Sequence, residues 1–193
     1  MPPKIKTTQE DIINAAYQIV REEGMKKLTA RNVAQRLGTS VQPIFRAFVN
    51  MEDLEEVVME KIKNTYKEYI MNSVSLEDSL MGTVVAYIKF AREEKQLFQI
   101  LHMSDRYGIS KTQEISSGDI NVEIVKVIAQ MENITMEEAA LLYQAIFFTA
   151  HGMASMVATN HCEFSNEEVA QILENVFDGL SMKLKSEEIK KRN

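Results

Sequence analysis

Cysteine, proline, glycine and tryptophan are all scarce in this chain. Among 193 residues there are one cysteine, three prolines, seven glycines and no tryptophan. The single cysteine, Cys162, excludes a disulfide framework within the chain and fits a reducing compartment. Few helix breakers, together with plentiful Ala, Met, Glu, Lys and Leu, favour helices. Few stretches alternate with a period of two, so we predict no strand and an all-α fold.

Long apolar runs are missing too. The N-terminal sequence MPPKIKTTQE lacks the apolar core of a signal peptide, and no run of about 18 apolar residues predicts a membrane span. The most apolar stretch, residues 141–158, is interrupted by Gln144, Thr149 and His151. We therefore expect a cytoplasmic protein.

Negative charge dominates the chain, but not its beginning. The formal net charge is −6. Residues 1–50 hold eight Lys and Arg against four acids, a net +4, and residues 51–193 hold 14 against 24, a net −10. A basic head on an acidic body is typical of a protein that docks only its head on phosphates. Chance segregation of charge remains the alternative at this point.

Apolar spacing predicts about nine helices. Their expected ranges are residues 8–23, 30–37, 40–48, 51–72, 76–94, 95–102, 119–132, 136–161 and 166–185. Residues 1–6 are expected to form an arm, 104–118 a loop, and 186–193 a frayed tail. We divide the chain into a three-helix domain at residues 1–50 and a larger helical bundle at residues 51–193.

Polar residues and glycines mark the expected helix ends. Gly24 and Gly38 are placed to end helices. Two caps carry a glutamate three residues later, as in a capping box. The predicted N-terminal caps are Thr7 or Thr8, Thr29, Thr39 or Ser40, Asn50, Thr135 and Ser165.

The strongest local signal is the sequence TARNVAQRLGTSVQPIFRAF at residues 29–48. Two short helices flank a turn that contains Gly38, and Ala34 is small where the helices would cross. Five residues are expected to face the inside of this unit: Val33, Leu37, Val41, Ile44 and Phe48. This is the spacing of a helix-turn-helix whose second helix enters the major groove of DNA. An αα-corner without a nucleic-acid role is the alternative interpretation.

The outward face of the second helix carries residue types that contact DNA. Arg and Gln suit bidentate hydrogen bonds to base edges, and hydroxyls can bind phosphates. The predicted DNA-contacting residues are Lys27, Thr29, Arg31, Thr39, Ser40, Gln42, Pro43, Phe45 and Arg46.

The segment LTARNVAQRLGTSVQPIFRAFVNMEDL resembles the N-terminal domain of TetR-family repressors. The resemblance covers about residues 8–58 and is looser in the C-terminal half, at FFTAHGMASMVATN and SNEEVAQIL. It implies a repressor that binds palindromic operator DNA as a homodimer through its last two helices and responds to a small effector. The chain departs from the family in having Phe45-Arg46 where Tyr-His is frequent, and Met51 where a phosphate-contacting lysine is frequent.

Aromatic residues and methionines in the body suit a pocket for an apolar effector. The chain has 12 methionines, which adapt to varied ligands. The candidate lining residues are Tyr66, Tyr87, Phe90, Phe98, Phe147, Phe148 and His151. Each could equally belong to a plain core, and the sequence leaves open whether the effector releases or promotes DNA binding.

The sequence contains no enzyme or metal signature. It has no nucleophile elbow, P-loop or GxGxxG motif. His161-Cys162-Glu163 is too compact for a metal site, and no second ligand pair follows at zinc spacing. We therefore expect no enzyme activity, no cofactor and no metal. The competing function is a helical protein-interaction module without DNA binding, although such a module has no need for a basic head.

Two helices near the C-terminus are candidates for the dimer interface. Small residues including Ala154 and Gly152 recur in the first, and the second has a wide apolar face that includes Leu180. Such surfaces are typical of a four-helix interface with a two-fold mate. A hairpin packed only within one chain is the alternative.

Overall fold

The computed structural model describes residues 7–73, 80–104 and 119–192. These ranges contain nine α-helices and one 3₁₀ turn, and no strand, which confirms the predicted all-α fold. The helices are α1 (Gln9–Glu23), α2 (Ala30–Arg36), α3 (Gln42–Ala47), α4 (Met51–Ser73), α5 (Leu80–Glu93), α6 (Lys95–His102), α7 (Asp119–Glu132), α8 (Met136–Ala158) and α9 (Asn166–Arg192), and the 3₁₀ turn is Met25–Lys27. Three predicted features lie outside the described residues, namely the arm at 1–6, nearly all of the loop at 104–118 and the helix start at 76–79.

Side-chain caps begin several helices, as their sequences predict. The backbone N–H of Asp11 donates to Thr8 Oγ1 at 3.1 Å, and the Thr8 N–H donates back to the Asp11 carboxylate at 2.8 Å. Equivalent capping boxes join Thr135 to Glu138 and Ser165 to Glu168. Each box satisfies N–H groups that the first helical turn leaves free.

The start of α3 differs from the prediction. Neither Thr39 nor Ser40 caps this helix; its N-cap is Val41, and no side chain supplies a cap hydrogen bond. Pro43 lies in the first turn, where a missing N–H costs no helical hydrogen bond. The helix instead begins from the Val41 carbonyl, which accepts from the N–H of Ile44 at 3.1 Å.

The last two helices also end at other residues than expected. The predicted end of α8 near His161 was wrong, because the helix stops at Ala158 and Asn160 adopts a positive φ of 59°. The predicted frayed tail was wrong in the other direction, since α9 continues to Arg192. Residues 186–192 contain Glu, Lys, Ile and Arg and no helix breaker, so nothing in the sequence stops the helix there.

Two hydrophobic clusters hold the molecule together. The larger contains residues of α1 to α6, α8 and α9, and includes the fully buried Phe90, Phe98 and Leu173. The smaller joins α7 to the N-terminal half of α8 and the C-terminal part of α9. Helix α8 contributes to both clusters and packs against α5, α6, α7 and α9.

Helix α8 is long and apolar enough to cross a membrane by length and composition. The expectation that no segment spans a membrane stays a prediction. Nine of its residues, among them Leu142, Ile146 and Ala154, are buried against the neighbouring helices. The same composition is also found in core helices of soluble proteins.

The turn between α2 and α3 gives a test of the fold. Gly38 has a φ of 63°, and a Cβ at this position would meet nothing within 4 Å. Glycine is therefore required by the left-handed backbone conformation and not by steric crowding. We expect Gly38→Ala to lower the free energy of unfolding by about 1–2 kcal/mol, because alanine is disfavoured by that amount in the left-handed backbone conformation. Gly179→Ala, in the middle of α9, is the matched control and should raise it by about 0.5–1 kcal/mol. Denaturant melts at one protein concentration compare the two variants, and equal effects would contradict the assignment.

Candidate nucleic-acid interface and aromatic cluster

The two short helices α2 and α3 are fixed by a few fully buried side chains. Val33 and Ala34 of α2 and Ile44 of α3 are at most 4% exposed, and Phe48 after α3 is 6% exposed. All four belong to the larger core cluster together with the inner face of α1. The predicted inward position of Val41 was wrong, because this residue is the N-cap of α3 and is 40% exposed.

The turn between the helices closes through backbone hydrogen bonds. The Gly38 N–H donates to the Gln35 carbonyl at 3.2 Å, and the Thr39 N–H donates to the Ala34 carbonyl at 3.0 Å. These bonds satisfy the last carbonyls of α2 and turn the chain toward α3. The result is the arrangement predicted for a helix-turn-helix, with α3 as the outer helix.

Most of the predicted DNA-contacting residues are accessible on this unit. Thr39 and Pro43 are half-buried, and Thr29 additionally caps α2 by accepting from the Asn32 N–H at 3.2 Å. The exposed ones are Lys27, Thr29, Arg31, Ser40, Gln42, Phe45 and Arg46. Sequence reasoning missed Val41 and Val49, which are 40% and 87% exposed at the two ends of α3.

The basic residues of the head fall into two groups. Arg36 forms an ion pair with Glu22, and Arg21 forms a bidentate pair with Glu94 at the start of α6. Within the described part of the chain, no carboxylate pairs with Lys27, Arg31 or Arg46. The unpaired cations therefore lie on and beside α2 and α3, where their full charge is available to an anionic partner.

Polar contacts attach the head to the body. The hydroxyls of Tyr17 and Thr65 lie 3.1 Å apart, and Lys61 Nζ donates to Asn14 Oδ1 at 3.0 Å. These contacts join α1 to α4, and the pair between Arg21 and Glu94 joins it to α6. A Cβ at Gly24, whose φ is 85°, would lie 2.7 Å from Gln96 Oε1, so the end of α1 also sits closely on α6.

Six of the seven predicted pocket residues form one aromatic cluster. Tyr66 of α4 packs edge-on against Phe90 of α5 at 5.0 Å between ring centroids. Tyr87 lies 5.3 Å from Phe98 of α6, and its hydroxyl is 2.9 Å from His151 Nδ1. Phe147 stacks on His151 with centroids 5.9 Å apart. The cluster thus joins α4, α5, α6 and α8.

Phe148 is not brought into this cluster. Its side chain is 46% exposed, and its ring reaches only the edge of the cluster, 6.1 Å from Phe147. Because α8 turns about 100° per residue, Phe147 and Phe148 face different sides of the helix. The predicted role of Phe148 as a pocket residue is therefore corrected to a surface position.

His102 is the member of the cluster that sequence reasoning missed. Its ring lies 4.9–5.1 Å from Phe98, Tyr66 and Tyr87, and its Nε2 is buried without a hydrogen-bond partner. Burial lowers the pKa of His102 to about 4, with His151 adding electrostatic repulsion. The sequence offered one signal, since His102 follows Phe98 by four residues on α6 and so shares its face.

The rest of the cluster is likewise held uncharged. Burial lowers the pKa of His151 and raises the pKa of Tyr66 to about 12. The pKa of Tyr87 is also raised, mainly by burial. At neutral pH the cluster therefore presents neutral imidazoles and phenols, and it suits a neutral, largely apolar molecule. Among the described residues no three His, Cys, Asp or Glu side chains meet in a way that could hold a metal.

A three-helix unit with an exposed, basic outer helix, mounted on a larger helical bundle, is the architecture of a helix-turn-helix protein. Residues 12–58 match the family described as bacterial regulatory proteins, tetR family. The match covers α1 to α3 and the start of α4, the part of the chain that carries the described interface. The similarity to this family is established for that part of the chain.

Known proteins are similar to the chain over different lengths. Nucleoid occlusion factor SlmA from Actinobacillus pleuropneumoniae is 29% identical over 107 residues, or 52% of this chain and 53% of that protein, and SlmA from Haemophilus ducreyi has the same identity and coverage. The chain thus aligns with about half the length of the curated relatives it matches. A TetR-like transcriptional regulator from Rhodococcus sp. RHA1 covers 92% of this chain and 96% of its own, with 14% identity and a TM-score of 0.58. A second transcriptional regulator from the same organism covers 92% and 97%, with 13% identity and a TM-score of 0.51. These solved structures share the overall fold.

The low pKa of His102 predicts how stability depends on pH. The folded chain keeps this imidazole neutral down to about pH 4, while the unfolded chain takes up the proton near 6.5. Unfolding therefore takes up a proton between these values, and the free energy of unfolding should fall as the pH drops from 6.5 towards 4, by up to about 3 kcal/mol. Denaturant melts between pH 7 and 5 measure this slope above the range in which carboxylates titrate.

Two variants test whether His102 causes the pH dependence of the free energy of unfolding. His102→Phe should make the slope shallower, because the group whose pKa burial lowers to about 4 is gone. His151, whose pKa burial also lowers, accounts for the slope that remains. His161→Gln replaces an exposed histidine outside the cluster and is the control for a histidine substitution. A slope as steep in His102→Phe as in the unaltered protein would show that His102 does not cause it.

Proposed function

We propose that this protein is a transcriptional repressor that binds palindromic operator DNA as a homodimer and releases it in response to a small apolar effector. The observation that supports this most directly is the surface of α3. Ile44 and Phe48 anchor the helix in the core, while Gln42, Phe45 and Arg46 point outward and Arg46 has no carboxylate partner among the described residues.

The head has the residues needed for both kinds of DNA contact. With α3 in the major groove, Arg46 and Gln42 suit the edges of guanine and adenine. Lys27 and Arg31 have free charges for phosphates on either side, and Thr29, Thr39 and Ser40 add hydroxyl donors. The net charge of −10 over residues 51–193 repels the duplex from the body, so that only the head approaches it.

A dimer would use the outer face of α8. Leu141, Phe148 and Met156 are 54%, 46% and 44% exposed and lie on one face at spacings of seven and eight residues. Gly152 is exposed on the same face and allows close approach of a second helix. On α9, Met182 is 73% exposed. This surface lies on the two helices predicted from sequence and keeps Gly152. It leaves out Ala154, which is fully buried within the protomer, and Leu180, which is partly buried against the smaller core cluster.

The aromatic cluster is the proposed effector site. Its rings come from α4, α5, α6 and α8, and the unpartnered Nε2 of His102 offers one hydrogen bond to a polar group on an otherwise apolar molecule. Burying such an atom without a partner costs free energy, and an effector that pairs with it removes this cost. The protein itself is proposed to have no enzymatic activity and to act in the cytoplasm.

Helices α4 and α6 connect this site to the head. Helix α4 begins at Met51, just after the recognition unit, and carries Tyr66; α6 holds Glu94 against Arg21 at one end and His102 in the cluster at the other. An effector that favours one tilt of these helices changes the separation of the two recognition helices. Half-sites about 34–36 Å apart accept a narrow range of separations, so effector and operator weaken each other's binding by the same factor.

A helical protein-interaction module without DNA binding remains the competing function. It would explain the exposed apolar residues of α8, but it would not explain why the unpaired cations gather on α2 and α3. Binding to DNA separates the two functions directly.

Arg46 provides the DNA-binding test. Duplexes selected from a random pool by the full-length protein should share a palindromic sequence, because a two-fold dimer presents two recognition helices in opposite senses. We expect Arg46→Ala to weaken binding to the selected site by about 1–3 kcal/mol and to relax the preference at one base pair. Lys126→Ala, on the exposed side of α7, is the control and should bind as the unaltered protein does.

Fluorescence anisotropy at fixed salt gives these affinities. A uniform loss over all duplexes would make Arg46 a phosphate contact rather than a base contact. Equal binding of the selected site and of random duplex by the unaltered protein would refute the repressor function.

The outer face of α8 provides the dimer test. Phe148→Glu places a charge at the centre of the proposed interface, where burying it without a partner costs several kcal/mol. We expect the variant to sediment as a folded monomer. Val127→Glu is the matched control, because Val127 is 52% exposed on α7 and lies outside the proposed interface. An unchanged dimer in Phe148→Glu would place the interface elsewhere.

A further inference from the structure

Helix α3 has an apolar strip on the same face that carries its polar base-contacting residues. Val41 is 40% exposed and Phe45 is 51% exposed. They lie one helical turn apart, since the N–H of Phe45 donates to the Val41 carbonyl at 3.3 Å. Their neighbours Gln42 and Arg46 are exposed as well, so the strip runs beside the polar groups.

Neither residue of the strip belongs to a hydrophobic core cluster. Ile44 and Phe48 already anchor α3 in the core, and both are at most 6% exposed. Leaving half of the Phe45 side chain in water is unfavourable, because removing apolar surface from water lowers the free energy. A partner that covers the strip would therefore bind more tightly because it removes this apolar surface from water.

The surroundings of the strip indicate that occupant. Arg46 lies next to Phe45, Arg31 lies on α2, and Lys27 lies just before it, all without a carboxylate partner among the described residues. An anionic partner is favoured by these charges, and it must also offer apolar groups to the strip. In the major groove of DNA, the C5-methyl group of thymine is the apolar feature that distinguishes one base from the other three.

We propose that Val41 and Phe45 read thymine methyl groups in each half-site of the operator. This inference rests on the proposed DNA-binding function and adds a source of base preference to it. Four residues of helix rise about 6 Å, and bases along a strand are about 3.4 Å apart, so the two side chains contact positions about two base steps apart. Arg46 and Gln42 read hydrogen-bonding edges beside them.

Replacing thymine by deoxyuridine tests the methyl group alone. The full-length protein first selects its best duplex from a random pool, and each thymine is then replaced by deoxyuridine, which keeps every hydrogen-bonding group. One or two positions in each half-site should lose affinity, by roughly fourfold per methyl group removed. Replacing the thymine at the symmetric positions of both half-sites should lower the affinity by roughly fifteenfold, because the two losses multiply.

Variants of the strip assign the effect to its residues. Phe45→Ala should bind the thymine and deoxyuridine duplexes equally at the position that Phe45 reads, and Val41→Ala should do the same at a second position about two steps away. Val127→Ala removes an exposed valine from α7, which lies outside the proposed DNA interface, and should keep the full discrimination. Circular dichroism checks that each variant remains folded, as the exposure of both side chains leads us to expect.

The outcomes separate this inference from the proposed function. If no duplex is selected, both fail. If a duplex is selected but deoxyuridine is tolerated at every position, DNA binding stands and the reading of methyl groups is refuted. A methyl effect that persists in both Phe45→Ala and Val41→Ala would also refute it, because other residues would then contact the methyl groups.

Discussion

The packing of α8 is the constraint on which the rest of the body depends. This helix is apolar over most of its circumference and touches α5, α6, α7 and α9. Ile146, Ala150 and Ala154 place it in the larger core cluster, while Leu142 and Tyr143 place it in the smaller one. Because one rigid helix supplies both clusters, the other helices are positioned relative to it. The small side chains on α8 set how closely they approach.

The fold and the helix-turn-helix arrangement could be predicted largely from sequence because their signals are local. A cap such as Thr135 with Glu138 acts within one helical turn, and so does the glycine that ends a helix. The helix-turn-helix is a similarly short pattern, and Val33, Ile44 and Phe48 lie inside it as their spacing predicts. The confirmed elements are therefore those whose physical cause lies within a few residues.

The features that were missed depend on contacts between distant segments. Val41 was expected inside because it is apolar, yet the path of the chain into α3 leaves it in solvent. Ala154 and Leu180 were assigned to a partner chain, whereas Ala154 is fully buried within the same chain and Leu180 is partly buried there. His102 joins the aromatic cluster only because α6 packs beside α4 and α5. A hydrophobic pattern shows that a side chain is covered, but it does not show what covers it.

One continuous hydrophobic cluster runs from α1 of the head to α9 of the body. The head and the body therefore belong to a single cooperative unfolding unit, and amide hydrogens on either side of residue 50 should exchange through shared openings. A fragment that ends at residue 50 would leave the face of α1 that packs on α4 and α6 in water. The same interface restricts evolution, since a head can be exchanged between related bodies only together with the surfaces of α4 and α6 that receive it.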